Sequence, residues 1–378
     1  MKTLHNYLTR ELTIAIGLSV TVFALALLVG QIIDQLQQIL SQHGLSVSTL
    51  FKFLPLLLPY VLMFALPMSV ITAMMLVFGK LSADNELTAL RSSGLSVPRL
   101  VWPAFLLAVG LAIFCLFLNT TLAPWCKEKF KTQIILAALR QPHLLLEPGE
   151  TIYFGRIRIY VAERSENRIE NVRVYLVDDA NKVRQTVRAA SGTLHPDIAK
   201  KQILVELHDV TIEVIDSSDP TKVRTGINAA TYPLVLDASK LMSQGFVRKK
   251  NGDLTFAELL DAILLEQQKI PSENAVDADK SQKKIWALSV EAQKRFSWAL
   301  TCIVFTLLGV PLGIRTHRRD TSINAGLALL LVGLYYFLTV LAGKWEDRSL
   351  AIASFWLWLP NTIFAVVGVT LFWRVSRT

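Results

Sequence analysis

Six stretches of this chain contain no Asp, Glu, Lys or Arg, and each has at least 19 residues. A helix needs about 20 apolar residues to cross the hydrocarbon core of a bilayer. Only 18% of the residues are charged, against about 25% in soluble domains. The pattern therefore predicts six transmembrane helices, at residues 12–33, 53–79, 100–126, 296–314, 321–343 and 349–373.

The basic residues that flank these stretches are unevenly distributed. The ten at one set of helix ends are Lys2, Arg10, Lys80, Arg91, Arg99, Arg315, Arg318, Arg319, Arg374 and Arg377. The three in the short segments at the opposite ends are Lys52, Lys344 and Arg348. The positive-inside rule then predicts that both termini are cytoplasmic. Because much of the net charge of +9 marks topology, it does not predict a nucleic-acid partner.

The longest segment between stretches, residues 127–295, is then predicted to lie outside the cytoplasm. It is nearly neutral, with 26 Lys and Arg against 23 Asp and Glu. Strand-like runs occupy residues 151–161, 172–177, 203–207, 210–215 and 232–236. Turn signals separate them at residues 178–179, 191–192, 195–197 and 217–220. Short strands separated by such turn signals predict an antiparallel sandwich or jelly roll.

The pattern changes after residue 240. Apolar residues at helical spacing predict an amphipathic helix at 255–268, and a polar linker is predicted at 271–284.

Motifs for catalysis and for cofactors are absent from the sequence. There is no GxxxxGK[ST] phosphate loop, no HExxH and no GxSxG, and the six His have no metal-ligand spacing. Coupled carriers usually need ionisable residues inside their spans, and these stretches have none. We therefore predict a non-enzyme without cofactor or metal, and any transport would need an external source of energy.

The segment between the second and third stretches predicts a short amphipathic helix at about 82–93. Ser82 is a candidate N-cap, Leu87 and Leu90 form an apolar stripe, and Gly94 suits the position after the helix, where φ is positive. Two interpretations are open: a passive helix at the membrane surface, or a coupling helix that docks into a cytoplasmic motor.

Seven short motifs follow one another along the chain. They are Tyr-Leu-Thr-Arg-Glu at 7–11, Leu-Pro-Met-Ser at 66–69, Gly-Lys-Leu at 79–81, Asn-Glu-Leu-Thr-Ala-Leu-Arg-Ser-Ser-Gly at 85–94, Glu-Ala-Gln-Lys-Arg at 291–295, Gly-Val-Pro-Leu-Gly at 309–313 and Trp-Leu-Pro-Asn at 358–361. With these motifs in this order, the sequence resembles the YjgP/YjgQ family of lipopolysaccharide export permeases, LptF and LptG. The first and third motifs favour the LptF-like branch.

The resemblance implies an α-helical inner-membrane protein with six transmembrane helices and an all-β, jelly-roll-like periplasmic domain inserted between helices 3 and 4. It implies a heterodimer with a paralogous permease, a dimeric cytoplasmic ATPase, and lipopolysaccharide passed to a periplasmic lipid-bridge protein. Glu86 would be the acidic residue of the coupling helix that meets the ATPase. Leu87, Leu90 and Arg91 would complete the docking site.

The resemblance also implies a division of the chain and a lipid path. Residues 1–126 would hold helices 1–3 and the coupling helix, 127–295 the periplasmic domain, and 296–378 helices 4–6. The first and fifth spans would be gate elements. Residues that could line an apolar slot for acyl chains, or form ordinary sandwich core, are Ile157, Ile159, Val161, Val174, Leu176, Leu204 and Ile212.

The chain departs from the family pattern in two places. Residues 31–38 read Gln-Ile-Ile-Asp-Gln-Leu-Gln-Gln, without the lysines that one paralogue group carries there, so contacts to lipid phosphates stay unassigned. Ala299 occupies the position of an expected proline. The rival interpretation is a membrane-anchored periplasmic binding or assembly protein without transport activity, which would not need a cytoplasmic coupling helix.

Overall fold

The computed structural model describes residues 2–42, 54–140, 149, 151–154, 157–165, 168–178, 183–197, 202–215, 223–224, 227–237, 251–269, 275–315, 321–343, 345 and 349–377. The chain divides into two compact units. The first, a helical bundle, comprises Met1–Gly30, Leu57–Lys127 and Asn251–Thr378. The second, which contains the β-sheet, comprises Gln31–Leu56 and Glu128–Lys250.

Nine described α-helices follow one another along the chain, with short 3-10 turns at Leu54–Leu57 and Asn251–Asp253 and a π-helical turn at Leu118–Leu122. They are α1 (Lys2–Gln42), α2 (Leu58–Ala83), α3 (Glu86–Ser92), α4 (Val97–Phe117), α5 (Ala123–Arg140), α6 (Phe256–Lys269), α7 (Ala275–Arg315), α8 (Thr321–Gly343) and α9 (Leu350–Arg377).

Six helical segments among the described residues are long and apolar enough to cross a membrane, which confirms the six predicted spans. They cover the six charge-free stretches to within two residues. Their bounds are Lys2–Ile33, Leu54–Ala83, Val97–Phe130, Ala278–Arg315, Ile323–Gly343 and Leu350–Arg377.

The predicted polar linker at 271–284 is wrong for residues 275–284, which form the first turns of α7. This helix has 41 residues and is about 60 Å long at 1.5 Å per residue. Its polar beginning is stabilised by contacts one turn apart, such as the 2.6 Å ion pair between Lys283 Nζ and Asp279 Oδ2. Polarity therefore marked an exposed helix here, and not a linker.

The backbones of α2 and α7 approach each other closely through glycines. A Cβ added at Gly313 would lie 3.0 Å from the Met75 carbonyl oxygen and 3.2 Å from the Gly79 nitrogen. A Cβ at Gly309 would lie 3.0 Å from Met74 Cβ. Small residues four apart allow this close packing between helices in lipid. Accordingly, most residues in the apolar membrane-spanning stretches of α2 and α7 are buried, 67% and 72% respectively. In the corresponding stretches of α1 and α8, only 22% are buried.

A buried polar cluster joins α7, α8 and α9. The Tyr335 hydroxyl donates to Asn361 Oδ1 at 3.2 Å and lies 2.7 Å from Thr301 Oγ1. Asn361 Nδ2 donates to the Ser297 carbonyl at 2.9 Å and to its hydroxyl at 2.8 Å. All four residues are at most 3% exposed. Because an unpaired polar group is costly in apolar surroundings, this cluster holds α8 to its neighbours at one level.

An ion pair with a buried carboxylate joins the point where the chain leaves the helical unit after Lys127 to the point where it re-enters at Asn251. Lys127 Nζ lies 2.7 Å from Asp253 Oδ1, and Asp253 is 3% exposed. The Lys127 ammonium also lies 4.7 Å from the centre of the Tyr60 ring. In the adjacent turn, Arg295 Nη2 donates to the Leu254 carbonyl. These contacts fix the end of the bundle from which residues 128–250 are inserted, called here the insert end.

The predicted helix at 255–268 is confirmed as α6. Its N-terminus has a capping box, in which the Thr255 amide donates to Glu258 Oε2 at 2.8 Å and the Glu258 amide donates to Thr255 Oγ1 at 3.4 Å. Hydrogen bonds from Lys269 and from Lys284 of α7 hold the pKa of Glu266 below its usual range. Glu266 thereby ties α6 to α7.

The described strands form one antiparallel sheet, which confirms the predicted all-β insert. Neighbours along the sheet are mostly consecutive in sequence, and β7 pairs with β5 beside β6. The strands are β1 (Thr151–Phe154), β2 (Ile157–Ser165), β3 (Arg168–Val177), β4 (Val183–Asp197), β5 (Gln202–Ile215), β6 (Val223–Arg224) and β7 (Asn228–Asp237).

Several predicted strand limits are wrong. The run 151–161 is two paired strands, and the runs 203–207 and 210–215 are one strand. The predicted turns at 191–192 and 195–197 lie inside β4. Gly192 is required there for close packing, because a Cβ would lie 3.0 Å from Leu207 Cδ2 and 3.1 Å from Ile169 Cγ1. The predicted turns at 178–179 and 217–220 lie outside the described residues, except Asp178 directly after β3.

The residue pairing between β3, β4 and β5 is interrupted along one line across the sheet, called here the crease. The pairing skips Asn171, Ala190 and Asp209, which lie on this line. Asn171 and Asp209 have φ of 52°, a left-handed conformation that these residue types tolerate. At the crease, buried positions are three residues apart instead of two, as in Leu207 and Val210 of β5. The sheet thereby buries one continuous apolar face, called here the inner face.

The close approach of α2 and α7 gives a stability prediction. Gly313→Val should destabilise the protein by about 1–3 kcal/mol, because the added atoms meet backbone that cannot move aside. Gly333→Val is the matched control, since no atom lies within 4 Å of a Cβ there, and its effect should be within about 0.5 kcal/mol. Thermal unfolding in detergent measures both, and equal losses would contradict the packing argument.

Candidate functional site

The predicted helix after α2 is present as α3, but it begins differently from the prediction. Ser82 is not its cap, because Ser82 lies in α2 and donates through Oγ to the Ile314 carbonyl at 2.8 Å. The chain instead turns into α3 through Asn85, which has a left-handed φ of 59°. Ser82 is buried by α7, a contact between distant residues that local pattern does not reveal.

The C-terminal end of α3 agrees with the prediction for Gly94, which has a φ of 85°. The Leu95 amide donates to the Leu90 carbonyl at 3.3 Å, and the Gly94 amide donates to the Arg91 carbonyl at 2.9 Å. This is a Schellman motif, and it gives the seven-residue helix a fixed end.

The two faces of α3 differ in exposure. Leu87 is 4% exposed within the core of the bundle, and Leu90 packs partly buried against the same core. Glu86, Thr88 and Ala89 are exposed. The leucines predicted as part of a docking site therefore hold α3 to the bundle, and they leave the Glu86 side accessible.

Glu86 stands at the exposed beginning of α3. No described residue forms a salt bridge with it, and the neighbouring Asp84 and Asn85 are exposed as well. A carboxylate in the first turn is favoured by the positive end of the helix dipole. Asp84 and Glu86 thus form a small exposed acidic surface at this end of α3.

Arg91, predicted as a neighbour of Glu86 in docking, makes an internal contact. Its Nη2 donates to the carbonyl of Val375 in the last turn of α9, at 2.9 Å. Arg91 is half-buried and Val375 is 4% exposed. The structure thus brings Leu87, Leu90 and Arg91 together on the buried side of α3, and leaves Glu86 alone on the exposed side.

Six of the seven residues predicted to line a lipid slot share the inner face of the sheet. Ile159, Val161 and Val174 are at most 1% exposed and form its core. Ile157, Leu176 and Ile212 are partly buried and pack against that core. Because Ile157 pairs with Leu176 and Ile212 pairs with Val187, these three lie toward the same end of the inner face, where it is less closed.

Leu204 is the exception. It pairs with His195 on one side and with Val235 on the other, and both of these residues are exposed. Simple alternation along β5 puts Leu204 on the same face as Ile212. The crease at Asp209 shifts that alternation by one residue, so Leu204 lies on the outer face.

Sequence reasoning missed several residues that fix this geometry. The Gly-x-x-x-Gly spacing at 309–313 was a signal for close helix packing, and Thr255 followed by Glu258 was a signal for a capping box. The pairs Lys127–Asp253 and Arg91–Val375 had no signal, because their members are far apart in sequence.

Comparisons with known proteins agree with this architecture. The family model described as lipopolysaccharide export system permease LptF/LptG matches residues 6–374. The lipopolysaccharide export system permease protein LptF of Escherichia coli K12 is 21% identical over 373 residues, which is 97% of this chain and 93% of that protein. An uncharacterized protein of Rickettsia prowazekii is 21% identical over 312 residues, 81% of this chain and 82% of that protein. Since the family model spans nearly the whole chain, this protein belongs to the LptF/LptG family of lipopolysaccharide export system permeases.

Proposed function

We propose that this protein is the non-catalytic permease subunit of an ABC-type exporter, which extracts lipopolysaccharide from the inner membrane and passes it to a periplasmic bridge protein. A separate dimeric ATPase supplies the energy, and a paralogous permease completes the transmembrane pathway. Family membership supports the substrate. The surface of α3 supports the connection to a motor.

The observation that carries the proposal is the exposed acid on a firmly held helix. Leu87 in the core and the contact of Arg91 with α9 fix α3 to the bundle, and the motif at Gly94 fixes the end of the helix. A helix held in this way transmits force applied to its exposed side. A passive surface helix would not need such anchoring.

The spans themselves offer no alternative source of energy. The six charge-free stretches hold no carboxylate that could carry protons or sodium ions across the membrane. The buried groups of Thr301, Tyr335 and Asn361 are neutral and already paired. Coupling to ATP hydrolysis through α3 meets this need.

We propose α1 and α8 as the spans that move to admit lipid. Only 22% of the residues in the apolar membrane-spanning stretch of each helix are buried, so most of their apolar surface is available to lipid or to the partner permease. Exposed side chains such as Leu18, Val22, Leu330 and Phe337 form these surfaces. The lipid's acyl chains already lie in the bilayer, so lateral entry between spans avoids exposing them to water.

We propose that the inner face of the sheet binds the acyl chains after they leave the membrane spans. Each buried methylene contributes about 0.8 kcal/mol, so such a site needs continuous apolar walls. The partly buried Ile157, Leu176 and Ile212 at the open end would receive the chains first. Ile159, Val161 and Val174 would be reached only if the sheet opens.

Glu86→Lys tests the docking surface. The reversal should weaken co-purification of the ATPase, because a charge-assisted contact becomes a repulsion, and truncating one partner of a buried charged contact typically costs about 2–5 kcal/mol. Asp261→Lys makes the same change at an exposed position of α6 and should have no effect. Unchanged co-purification and export in Glu86→Lys would refute docking at this site. If no ATPase accompanies the unaltered protein, the membrane-anchored assembly protein becomes the better interpretation.

Single cysteines test the proposed orientation, with α3 cytoplasmic and the sheet periplasmic. The native Cys115, Cys126 and Cys302 are buried. Ala230→Cys and Ser93→Cys introduce exposed thiols on β7 and beside α3. In spheroplasts, a membrane-impermeant maleimide should label residue 230 directly, and residue 93 only after the membrane is opened. The reverse order would overturn the orientation.

Photo-crosslinking tests the lipid path. An apolar photo-reactive residue at position 176 should crosslink lipopolysaccharide when ATP is supplied, and one at 161 should do so more weakly because Val161 is fully buried. Position 204, on the outer face, is the matched control and should give no crosslink. A folded complex with active ATPase that crosslinks lipid at neither 161 nor 176 would identify these residues as core alone.

A further inference from the structure

Arg91 makes a contact that joins α3 to the last turn of the chain's sixth span. Its Nη2 donates to the Val375 carbonyl at 2.9 Å, and α9 ends at Arg377. The last four carbonyls of a helix have no partner within the helix. Arg91 therefore supplies a hydrogen bond that α9 cannot make for itself.

The charge of Arg91 suits this position as well. A helix carries a partial negative charge at its C-terminus, and a cation placed there is stabilising. Val375 is 4% exposed, so the contact is shielded from water on the side of the carbonyl. These features give Arg91 a fixed place against α9, with little freedom to reach a second protein.

A parallel contact lies nine residues earlier in the sequence, at Ser82. Ser82 Oγ donates to the Ile314 carbonyl at 2.8 Å, and α7 ends at Arg315. The segment that contains the end of α2 and all of α3 thus caps the C-terminal carbonyls of both α7 and α9. In this way α7 is attached to α2 and α9 is attached to α3, so two spans from the second half of the chain are held by helices from the first half.

We propose that Arg91 is a positioning residue that transmits movement of α3 to α9 and does not bind the ATPase itself. The proposal rests on the proposed function, in which force enters at Glu86. Leu87 and Arg91 lie one turn apart on the buried side of α3. Displacement of the exposed side therefore pulls on the end of α9 through the guanidinium.

The test separates binding from transmission in the assembled complex. Arg91→Ala should leave ATPase co-purification and ATP hydrolysis within about twofold of the unaltered complex, while lipopolysaccharide released per ATP falls about tenfold, equivalent to about 1.4 kcal/mol. Arg91→Lys keeps a cationic donor and should restore part of the release. Arg99→Ala, the matched control at an exposed arginine of α4, should change none of these quantities.

A second variant tests the accepting end. A chain that ends at Trp373 lacks the Val375 carbonyl and should show the same reduced release per ATP with the ATPase still bound. Combining it with Arg91→Ala should add little, because residues that act through one contact are not additive. Independent, additive losses would show that Arg91 does not act through α9.

Other outcomes also overturn the inference. If Arg91→Ala loses the ATPase as Glu86→Lys does, Arg91 belongs to the docking surface. If release per ATP is unchanged in Arg91→Ala, its contact only stabilises the fold. Failure of the proposed function gives a different pattern, in which Glu86→Lys leaves the ATPase bound or no ATPase is bound at all.

Discussion

The backbone contact between α2 and α7 is the constraint on which the helical unit depends. In lipid, apolar side chains gain little by leaving their surroundings, so helices associate through close packing and hydrogen bonds. Gly309 and Gly313 remove the side chains that would separate the two backbones. Because α2 belongs to the first half of the chain and α7 to the second, this contact joins the halves. It also brings the end of α2 within reach of the end of α7, where Ser82 caps Ile314.

The outer helices are held differently. Tyr335 ties α8 to α7 and α9 within the polar cluster, and the Tyr336 hydroxyl donates to the Phe64 carbonyl of α2 at 3.1 Å. These contacts lie at one level of α8, while apolar side chains elsewhere along it, such as Leu329 and Val340, are exposed. α8 is thus held by hydrogen bonds at one level and buries Ala328 and Val332 in the core, while much of its apolar surface stays exposed for the lateral lipid entry proposed above.

The sequence was sufficient for features with a local physical cause. Absence of charge over about 20 residues predicted all six spans, and apolar spacing predicted α6. Prediction from the sequence failed where a contact between distant residues, or a local change in the backbone, gave a residue a different role from the one its neighbours in sequence suggested. Gly192 suggested a turn, yet it is a strand residue packed against Ile169 and Leu207. Leu204 followed the alternation of β5, yet the left-handed Asp209 moved it to the other face. For the candidate site, the apolar stripe of Leu87 and Leu90 followed from the helical pattern, and the choice of Glu86 came from the family resemblance. The internal contact of Arg91 could not be predicted, because it required the position of α9.

One helix reaches both ends of the bundle and gives the proposed coupling a physical route. At the α3 end, the Ile314 carbonyl of α7 accepts from Ser82; at the insert end, Arg295 of α7 holds Leu254, next to the ion pair of Asp253 and Lys127. These two points are 19 residues apart, or about 28 Å of helix. The charge-free stretch between them offers no electrostatic path. In the proposed coupling, the route along α7 is therefore movement of the helix itself, applied through the contacts that attach its two ends.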